Sequence, residues 1–515
     1  MRRKNTILNI LTGIASQIIL IILGLISRKI FVNIMGLEIL GINGLFSNII
    51  SMLSLAELGI GGAIYYSLYK PLAEDDYPQV RATMQLYSKL YKYIAIIVAC
   101  IGIALIPFLH LIIKEKVDNV YLISVYICFL TDSVLSYMLA YKKNIISADQ
   151  KSYVINTIQT GFSIAISIAQ IIIILSTHNF ILFLLVKIVL GFSSNVIFHL
   201  VANKMYPYLK DKNKVKLNEE AKAQLIKNAK ALFIVNIAVY CVFGTDNILI
   251  SIFVGVTTVG MYSNYILITN IINGLVGQVF SGIRASFGNF LLTKSLAEAH
   301  DIFEIIYFVN FWITSFCSIC LIVLLNPFIS IWLGKKALFP FYILIIMIVN
   351  FYMRSMTAAI ETVRNGAGLY SPYPFFKYWA LVEGLLNLIL GVLLAGVLNM
   401  GIAGILFATT ISTQVTVYVL PWNVYKYVLK RSSRLYYKKN FIYLLCTVLV
   451  TSITLLCCSF VNIGNNILAL LEKGSICLVV PNLMIIAIFY KTKEFQYIWD
   501  MRKSVATKMF ANRRR

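Results

Sequence analysis

The sequence predicts an all-α polytopic membrane protein with about 14 transmembrane helices. Of its 515 residues, 59% are hydrophobic. Apolar runs of about 20 residues recur along nearly the whole chain, and each could cross roughly 30 Å of hydrocarbon as a helix. The alternating pattern over about 10 residues that a transmembrane β-barrel strand requires is absent. The chain is therefore expected to be a helical bundle in a membrane.

The apolar runs give the expected spans in order. The first follows the basic start Met1-Arg2-Arg3-Lys4. It is too long for a signal peptide, and no small-residue cleavage site follows it, so a retained helix is expected. The predicted spans are 7–34, 38–67, 90–113, 120–142, 153–176, 179–203, 229–254, 259–291, 303–333, 338–363, 374–398, 401–425, 440–461 and 475–490.

The net charge of +24 is distributed by the predicted membrane topology. With both termini in the cytoplasm, about 35 of the 45 Lys and Arg face the cytoplasm and about five face outward. This is the positive-inside rule, and it predicts a multi-pass protein of the bacterial cytoplasmic membrane. The basic face should contact anionic phospholipids, and nucleic acid is not an expected partner.

A basic break over about 203–228 divides the chain. From Asn218 onward it has the pattern of an amphipathic interfacial helix. The expected organisation is an N-terminal lobe with six spans, a basic cytoplasmic linker with that helix, a C-terminal lobe with six spans, and two further spans with a basic cytoplasmic tail. Their boundaries are 1–204, 205–228, 229–427 and 428–515.

The two sets of six spans repeat three local features in order. Gly36-x4-Gly41 has its counterpart in Gly255-x4-Gly260, an offset of 219 residues. The pairs Pro107-Phe108 and Pro327-Phe328, and Ser147-Ala148 and Gly366-Ala367, follow at offsets of 220 and 219. A near-constant offset indicates a duplication. The duplication predicts two six-helix lobes related by an axis along the membrane normal.

Motifs for covalent chemistry or cofactors are missing from the sequence. All nine cysteines fall within apolar runs, without a metal-binding spacing. The outer loops are short, and the inner loops carry no phosphate-binding glycine motif. A transporter without a metal or cofactor is therefore expected rather than an enzyme. Coupling to H⁺, Na⁺ or the membrane potential stays open.

Charged residues within the apolar spans indicate where a polar pathway runs. Each costs roughly 2.5–3.5 kcal/mol near the bilayer centre, so lipid-facing positions are unfavourable. Arginine forks bind phosphate oxygens bidentately. The cationic candidates for binding a diphosphate are Arg28, Arg284 and Arg354. The acidic residues Glu57, Asp132, Asp246, Glu361 and Glu383 either pair with these arginines or bind a coupling ion, and the sequence leaves both interpretations open.

Polar stripes at helical spacing run along several of the same spans. They are candidates for lining a cavity, although Ser, Gly and Asn stripes also pack transmembrane helices together. The repeat offset places Ser51 opposite Asn270 in the alignment of the halves, and Ser54 opposite Asn273. The candidate lining residues are Ser16, Asn43, Ser51, Ser54, Asn236, Tyr240, Asn270 and Asn273.

A resemblance to a known family is carried by residues 36–76. The stretch reads Gly36-Leu-Glu-Ile-Leu-Gly41, Ser47-Asn48-Ile-Ile-Ser51, Ala56-Glu57-Leu58-Gly59-Ile60-Gly61 and Tyr69-Lys70-Pro71. With the duplicated plan, it resembles the bacterial oligosaccharide-lipid (Wzx-type) flippases of the multidrug/oligosaccharidyl-lipid/polysaccharide (MOP) exporter superfamily.

The resemblance implies alternating access by two lobes and an undecaprenyl-diphosphate-linked oligosaccharide as cargo. It also implies a role in the assembly of capsule, exopolysaccharide or another surface glycan. Candidate protein partners are a polysaccharide polymerase and glycosyltransferases. Related lipid II flippases use arginines for the diphosphate, and Arg28 and Arg284 lie on corresponding helices. The alternatives are a cation-coupled multidrug antiporter of the same superfamily and a membrane polysaccharide polymerase or ligase.

Overall fold

The computed structural model describes residues 2–54, 67–115, 117–211, 223, 237, 240, 244–293, 295–367, 375–461 and 464–500. These residues form helices joined by short turns, and no strand occurs among them. Eleven of the described helical segments are long and apolar enough to cross a membrane. The prediction of an all-α polytopic membrane protein is confirmed.

The chain divides into two compact units, Met1–Ser263 and Asn264–Arg515. The boundary falls inside the helix α9, Val256–Thr293. The helices of the first unit before α9 are α1 Arg2–Leu53, α2 Tyr77–Leu105, α3 Leu109–Ile112, α4 Asn119–Ala140, α5 Lys143–Ala148, α6 Ser152–Thr177, α7 Phe180–Met205 and α8 Asp246–Phe253. Those of the second unit after α9 are α10 Leu296–Leu333, α11 Phe341–Met356, α12 Ala358–Gly366, α13 Phe375–Val392, α14 Gly401–Val424, α15 Arg434–Ser459 and α16 Asn466–Phe489.

Five of the described helices begin at a capping side chain. Asp76, Asp118 and Asn179 accept hydrogen bonds from the first free backbone N–H groups of α2, α4 and α7. Ser295 forms a capping box with the third residue of α10, and Asn465 caps α16. Such side chains satisfy donors that have no partner within the helix. The short polar turns of the sequence therefore determine where these helices begin.

The predicted spans overlap these helices wherever both are described, although α2 begins at Tyr77, well before the predicted start of the third span at residue 90. The first span and the described part of the second form the single element α1, which kinks at Gly36, where φ is +81°. The seventh span falls largely outside the described residues, apart from its end in α8. The helix α9 has 38 residues and is therefore long enough to span a membrane.

In the first unit, α1 packs along α6, and α4 packs against both α2 and α7. The helices α6 and α7 form an antiparallel pair through the tight turn at His178, where φ is +53°. The Thr160 hydroxyl on α6 donates to Ser16 Oγ on α1 at 2.7 Å. Ser16 therefore joins two helices of this bundle.

The second glycine of each repeated pair, Gly41 and Gly260, lies within the first unit where α1 crosses the start of α9. A Cβ added at Gly41 would lie 1.8 Å from the Val256 carbonyl oxygen, and one added at Gly260 would lie 2.0 Å from that of Leu37. The repeat offset of 219 maps each contact onto the other. Only glycine permits this approach, as in other small-residue crossings of membrane helices. The two contacts are therefore equivalent, as they would be between two repeated segments related by a twofold axis.

The other repeat features correspond only partly. Ser147-Ala148 and Gly366-Ala367 both lie at or just beyond the end of a short helix, α5 and α12. Pro107 lies in a 3₁₀ turn that separates α2 from α3, whereas Pro327 lies inside the uninterrupted α10. The two halves of the predicted repeat therefore end a short helix at corresponding positions, whereas the proline interrupts a helix in only the first of them.

In the second unit, α10 packs against α11, α15 and α16. The Trp312 indole N–H donates to Asn482 Oδ1 on α16 at 2.8 Å. Lys439 on α15 lies 2.6 Å from both Glu304 on α10 and Glu494 beyond α16. The two C-terminal helices are therefore bonded to the rest of this unit.

Two of the expected segments have little structural description. Of the linker 205–228, the structure describes the 3₁₀ turn Pro207–Lys210, its immediate neighbours and residue 223. The predicted amphipathic helix and the tail from residue 501 lie outside the described residues. The predicted lobe boundaries stay predictions.

Candidate functional site

Arg28 on α1 is one of the three arginines that the sequence predicted as phosphate ligands. Its Nη2 donates to the carbonyl oxygen of Ser263 at 3.3 Å and to Ser263 Oγ at 3.4 Å. Both acceptors are neutral, and among the described residues no carboxylate oxygen lies within 4 Å of this guanidinium. The glycine crossing, where Gly41 meets Gly260, lies farther along α1 and just before Ser263 on α9. This contact between the two helices therefore positions the Arg28 side chain. The guanidinium has donors to spare for an anion.

Asp246 and Tyr240, two further candidates in the first unit, bond to neighbouring helices. The Tyr262 hydroxyl on α9 donates to Asp246 Oδ2 at 3.2 Å, and the Asp246 side chain is almost fully buried. The Tyr240 hydroxyl donates to the carbonyl oxygen of Asn48 on α1. Both contacts hold the segment around α8 against α1 and α9.

The polar stripe on the second half of α1 is bonded mostly to its own helix. The Ser51 hydroxyl donates to the Ser47 carbonyl at 2.7 Å, and that of Ser54 donates to the Ile50 carbonyl at 2.8 Å. Hydroxyls bonded one turn back need no ligand, and this agrees with the packing interpretation of the stripe. Asn43 is partly buried on the same segment.

Asp132 forms an ion pair with Lys187 inside the helix bundle of the first unit. Lys187 Nζ on α7 lies 2.9 Å from Asp132 Oδ2 on α4. The pair lines a cavity of about 410 Å³ whose wall also includes the buried Ser194 and Asn195. A paired carboxylate of this kind removes the cost of an isolated charge within a membrane helix.

Arg354 in the second unit pairs with Glu383. Arg354 Nη2 on α11 lies 3.3 Å from Glu383 Oε1 on α13 and 3.4 Å from Thr413 Oγ1 on α14. The Thr416 hydroxyl donates to the other carboxylate oxygen of Glu383. One turn along α13, the buried Asn387 amide donates to Thr409 and Ser412. The structure therefore unites two candidates in one network that joins three helices.

Asn273, Asn270 and Glu361 are the remaining described candidates of the second unit. Asn273 Oδ1 on α9 accepts from the Ser355 hydroxyl on α11 at 3.1 Å. Asn270 is exposed one turn earlier on α9. No Lys or Arg nitrogen of the described residues lies within 4 Å of the Glu361 carboxylate on α12. Arg354 pairs across helices with Glu383 rather than along the chain with Glu361.

Three candidates lack a described side chain. Glu57 and Asn236 lie outside the described residues. Arg284 lies on α9, well beyond the glycine crossing, and nothing is described of its side chain. Among the residues that are described, no cluster of His, Cys, Asp and Glu could hold a metal ion.

The structure adds partners that the sequence had not singled out. Ser263 accepts from Arg28, and Thr413, Thr416 and Asn387 complete the network around Glu383. Their spacing was a usable signal, because Glu383 and Asn387 are four residues apart, as are Thr409 and Thr413. A polar stripe on each of two neighbouring spans indicates facing helices.

Comparison with solved structures identifies the fold. A lipid II flippase, MurJ, in an inward closed conformation superposes with a TM-score of 0.66 over 94% of this chain and 99% of its own, at 15% identity. A multidrug resistance MATE family transporter of the MOP superfamily, inward-facing, gives 0.58 over 80% and 96% at 13% identity. A variant of the Vibrio cholerae MATE transporter VcmN gives 0.58 over 83% and 97% at 13% identity.

No protein-family model matches the sequence, and no curated protein matches it either. Because the identities are so low, the comparison shows the fold alone. The neighbours with this fold are a lipid flippase and transporters rather than enzymes. The superposition with the lipid II flippase covers nearly the entire chain. This chain has the fold of the MOP-superfamily transporters.

Proposed function

We propose that the protein is a flippase that moves an undecaprenyl-diphosphate-linked oligosaccharide from the inner to the outer leaflet of the bacterial cytoplasmic membrane. Transport proceeds by alternating access, and both termini lie in the cytoplasm. The cargo serves the assembly of capsule, exopolysaccharide or another surface glycan, next to the polymerase and glycosyltransferases that use the same lipid carrier. The fold comparison supports a transporter, and the chemistry of one residue supports the anionic cargo.

That residue is Arg28, and the supporting observation is its lack of a counter-charge within the described chain. Lys187, Arg354 and Lys439 each have a carboxylate within 3.3 Å. Arg28 has only the neutral oxygens of Ser263 among the described residues. A charge within an apolar helix is expensive without a partner, so an arginine in this setting favours an anionic ligand. A diphosphate offers the paired oxygens that the guanidinium fork binds.

Reconstitution of the purified chain in vesicles tests the proposal. A fluorescent undecaprenyl-diphosphate-linked oligosaccharide is placed in one leaflet, and its accessibility to an external glycosidase is followed. We expect Arg28→Gln to lower the apparent affinity for cargo about tenfold or more, because a charge-assisted hydrogen bond is worth about 1.5–3 kcal/mol. Arg28→Lys should recover part of it, since the charge stays but the fork is lost.

Arg434→Gln is the matched control, because this arginine is exposed at the start of α15. It should transport as the native chain does. Unchanged cargo affinity in a well-folded Arg28→Gln protein would exclude the diphosphate role of this residue. Arg284→Gln extends the test to the second predicted cationic position on α9.

A cation-coupled multidrug antiporter is the second candidate, since two of the structural neighbours are MATE transporters. The acidic residues of this chain could then bind H⁺ or Na⁺ and a cationic drug. In the same vesicles, efflux of a cationic dye driven by an H⁺ or Na⁺ gradient would favour that function. Cargo flipping without dye efflux favours the flippase.

A further inference from the structure

A second cavity of the first unit is strongly basic. It has a volume of about 360 Å³ and lies against the first turns of α2. Arg81, Lys89 and Lys92 line it from α2, and Lys142 lines it from the turn between α4 and α5. Asp211 is the carboxylate among the described lining residues, and it is ion-paired with Arg81. Three lysines therefore remain to give the cavity its charge.

The three lysines have no counter-charge within the described chain. No carboxylate oxygen there lies within 4 Å of the ammonium groups of Lys89, Lys92 or Lys142. Lys89 and Lys92 are one turn apart on one exposed face of α2. Like charges this close repel one another along a helix. An anion in the cavity would relieve the repulsion.

Lys142 distinguishes this cavity from an ordinary patch of surface lysines. Its side chain is only 6% exposed. Its Nζ lies 3.3 Å from His199 Nε2 and donates to Asn203 Oδ1, so neutral groups hold it at the cavity wall. Burial lowers the pKa of Lys142 to about 8. A buried cation bonded only to neutral groups is costly, and a bound anion would offset that cost.

The surface beside the cavity indicates the source of the anion. The span that begins with α2 runs 36 residues from Tyr77 to Ile112, roughly 54 Å at about 1.5 Å per residue. That exceeds the roughly 30 Å of hydrocarbon, so part of the span lies outside it, and the charged first turns suit the headgroup level. Directly after Lys92, the side chains of Tyr93, Ile96 and Ile97 are 63%, 59% and 50% exposed. A basic cavity therefore continues into an apolar surface suited to acyl chains.

We propose that this cavity binds the phosphate headgroup of an anionic phospholipid from the surrounding bilayer. The headgroup phosphate bonds to Lys89, Lys92 and Lys142, and the acyl chains lie along the apolar side of α2. Each basic side chain near an anionic headgroup raises the affinity roughly fivefold, and a phosphate inside a cavity keeps those contacts together. The site is independent of the cargo and would make the first unit sensitive to the lipid composition of the membrane.

Thermal unfolding of the purified full chain in a neutral detergent tests this inference. The midpoint is measured against increasing phosphatidylglycerol, phosphatidylcholine or sn-glycerol 3-phosphate. We expect phosphatidylglycerol to raise the midpoint of the native chain and the other two to leave it unchanged. In Lys89→Gln/Lys92→Gln the apparent affinity for phosphatidylglycerol should fall about 25-fold, since two charges are lost.

Lys335→Gln/Lys336→Gln removes two exposed lysines from a turn of the second unit and is the matched control. It should respond to phosphatidylglycerol as the native chain does. Both double variants change exposed side chains, so folding is expected to survive, whereas the buried Lys142 is left intact. An equal shift with phosphatidylcholine, or an unweakened phosphatidylglycerol response in Lys89→Gln/Lys92→Gln, would overturn the inference. Full stabilisation by glycerol 3-phosphate alone would overturn the lipid source in favour of a soluble phosphate ester.

Discussion

The crossing of α1 and α9 gives a sharp test of how the first unit is held together. Gly41→Ala adds one methyl group at a point where the neighbouring backbone leaves no room. The new Cβ would lie 1.8 Å from the Val256 carbonyl oxygen. The atoms must separate to at least 3.0 Å, and since the obstacle is backbone, the helices themselves have to move. Gly260→Ala meets the Leu37 carbonyl at 2.0 Å in the same way.

The size of the effect follows from the type of clash. Adding atoms to a well-packed contact costs typically about 1–3 kcal/mol, and rigid backbone on both sides places this contact toward the upper end. The two substitutions press on the same crossing, so the double variant should cost less than the sum of the single ones. Separation that makes room for the first methyl group also makes room for the second.

Gly24→Ala is the matched control on the same helix. A methyl group added at Gly24 would have no heavy atom of a neighbouring element within 4 Å, and the residue carries an ordinary helical φ. Alanine there should leave stability unchanged or raise it by about 0.5–1 kcal/mol, because alanine is the better helix former. Gly41→Ala and Gly24→Ala add the same methyl group, yet they are expected to change the stability in opposite directions.

Thermal unfolding in detergent compares the native chain with each variant. We expect lower midpoints for Gly41→Ala and Gly260→Ala, and an equal or higher midpoint for Gly24→Ala. Cargo binding should fall in the first two as well, because the crossing positions Ser263 against Arg28. If Gly41→Ala unfolded at the native midpoint, the close crossing would not exist in the folded protein, and the reasoning from the repeat would be wrong.

Two further outcomes follow from buried charges. Glu383→Gln should destabilise the second unit by several kcal/mol, since it leaves Arg354 without its carboxylate. Adding Arg354→Met should recover much of the loss. If Glu383→Gln were as stable as the native chain in thermal unfolding, that result would contradict the ion pair. Lys142 has its folded-state pKa lowered by burial to about 8, from an ordinary value of 10.5. The unfolded chain therefore holds more protons between those values, and stability should rise there by up to about 3 kcal/mol as the pH increases. A pH series of unfolding midpoints should lose this rise in Lys142→Met, and an identical rise in that variant would assign it to another group.

Much of the fold was predictable because membrane insertion imposes simple rules. The length of the apolar runs predicted the spans. The polar residues Asp76, Asp118, Asn179 and Asn465 in the turns cap the helices that follow them. The glycines at a constant offset indicated a repeated plan, and two of them, Gly41 and Gly260, meet at one crossing in the first unit. These features depend on local sequence, which is why a single chain revealed them.

The partners of the buried charges were less predictable. The sequence left open which acidic residue, if any, pairs with Arg354, and the structure pairs it with Glu383 on another helix. It left Asp132 open between ion binding and pairing, and the structure pairs it with Lys187 across two helices. Helical periodicity assigns a side chain to a face but not to the neighbour that this face meets.

The sequence by itself determined that this is a helical membrane protein with charges within its spans, and it predicted a duplicated plan. Each of those properties follows from hydrophobic length, spacing and the cost of burying a charge. Only the tertiary structure decided which of those charges are neutralised. Within the described chain Arg28 meets only the neutral Ser263, whereas Arg354 and Lys187 meet carboxylates, because helix crossings join residues far apart in the chain.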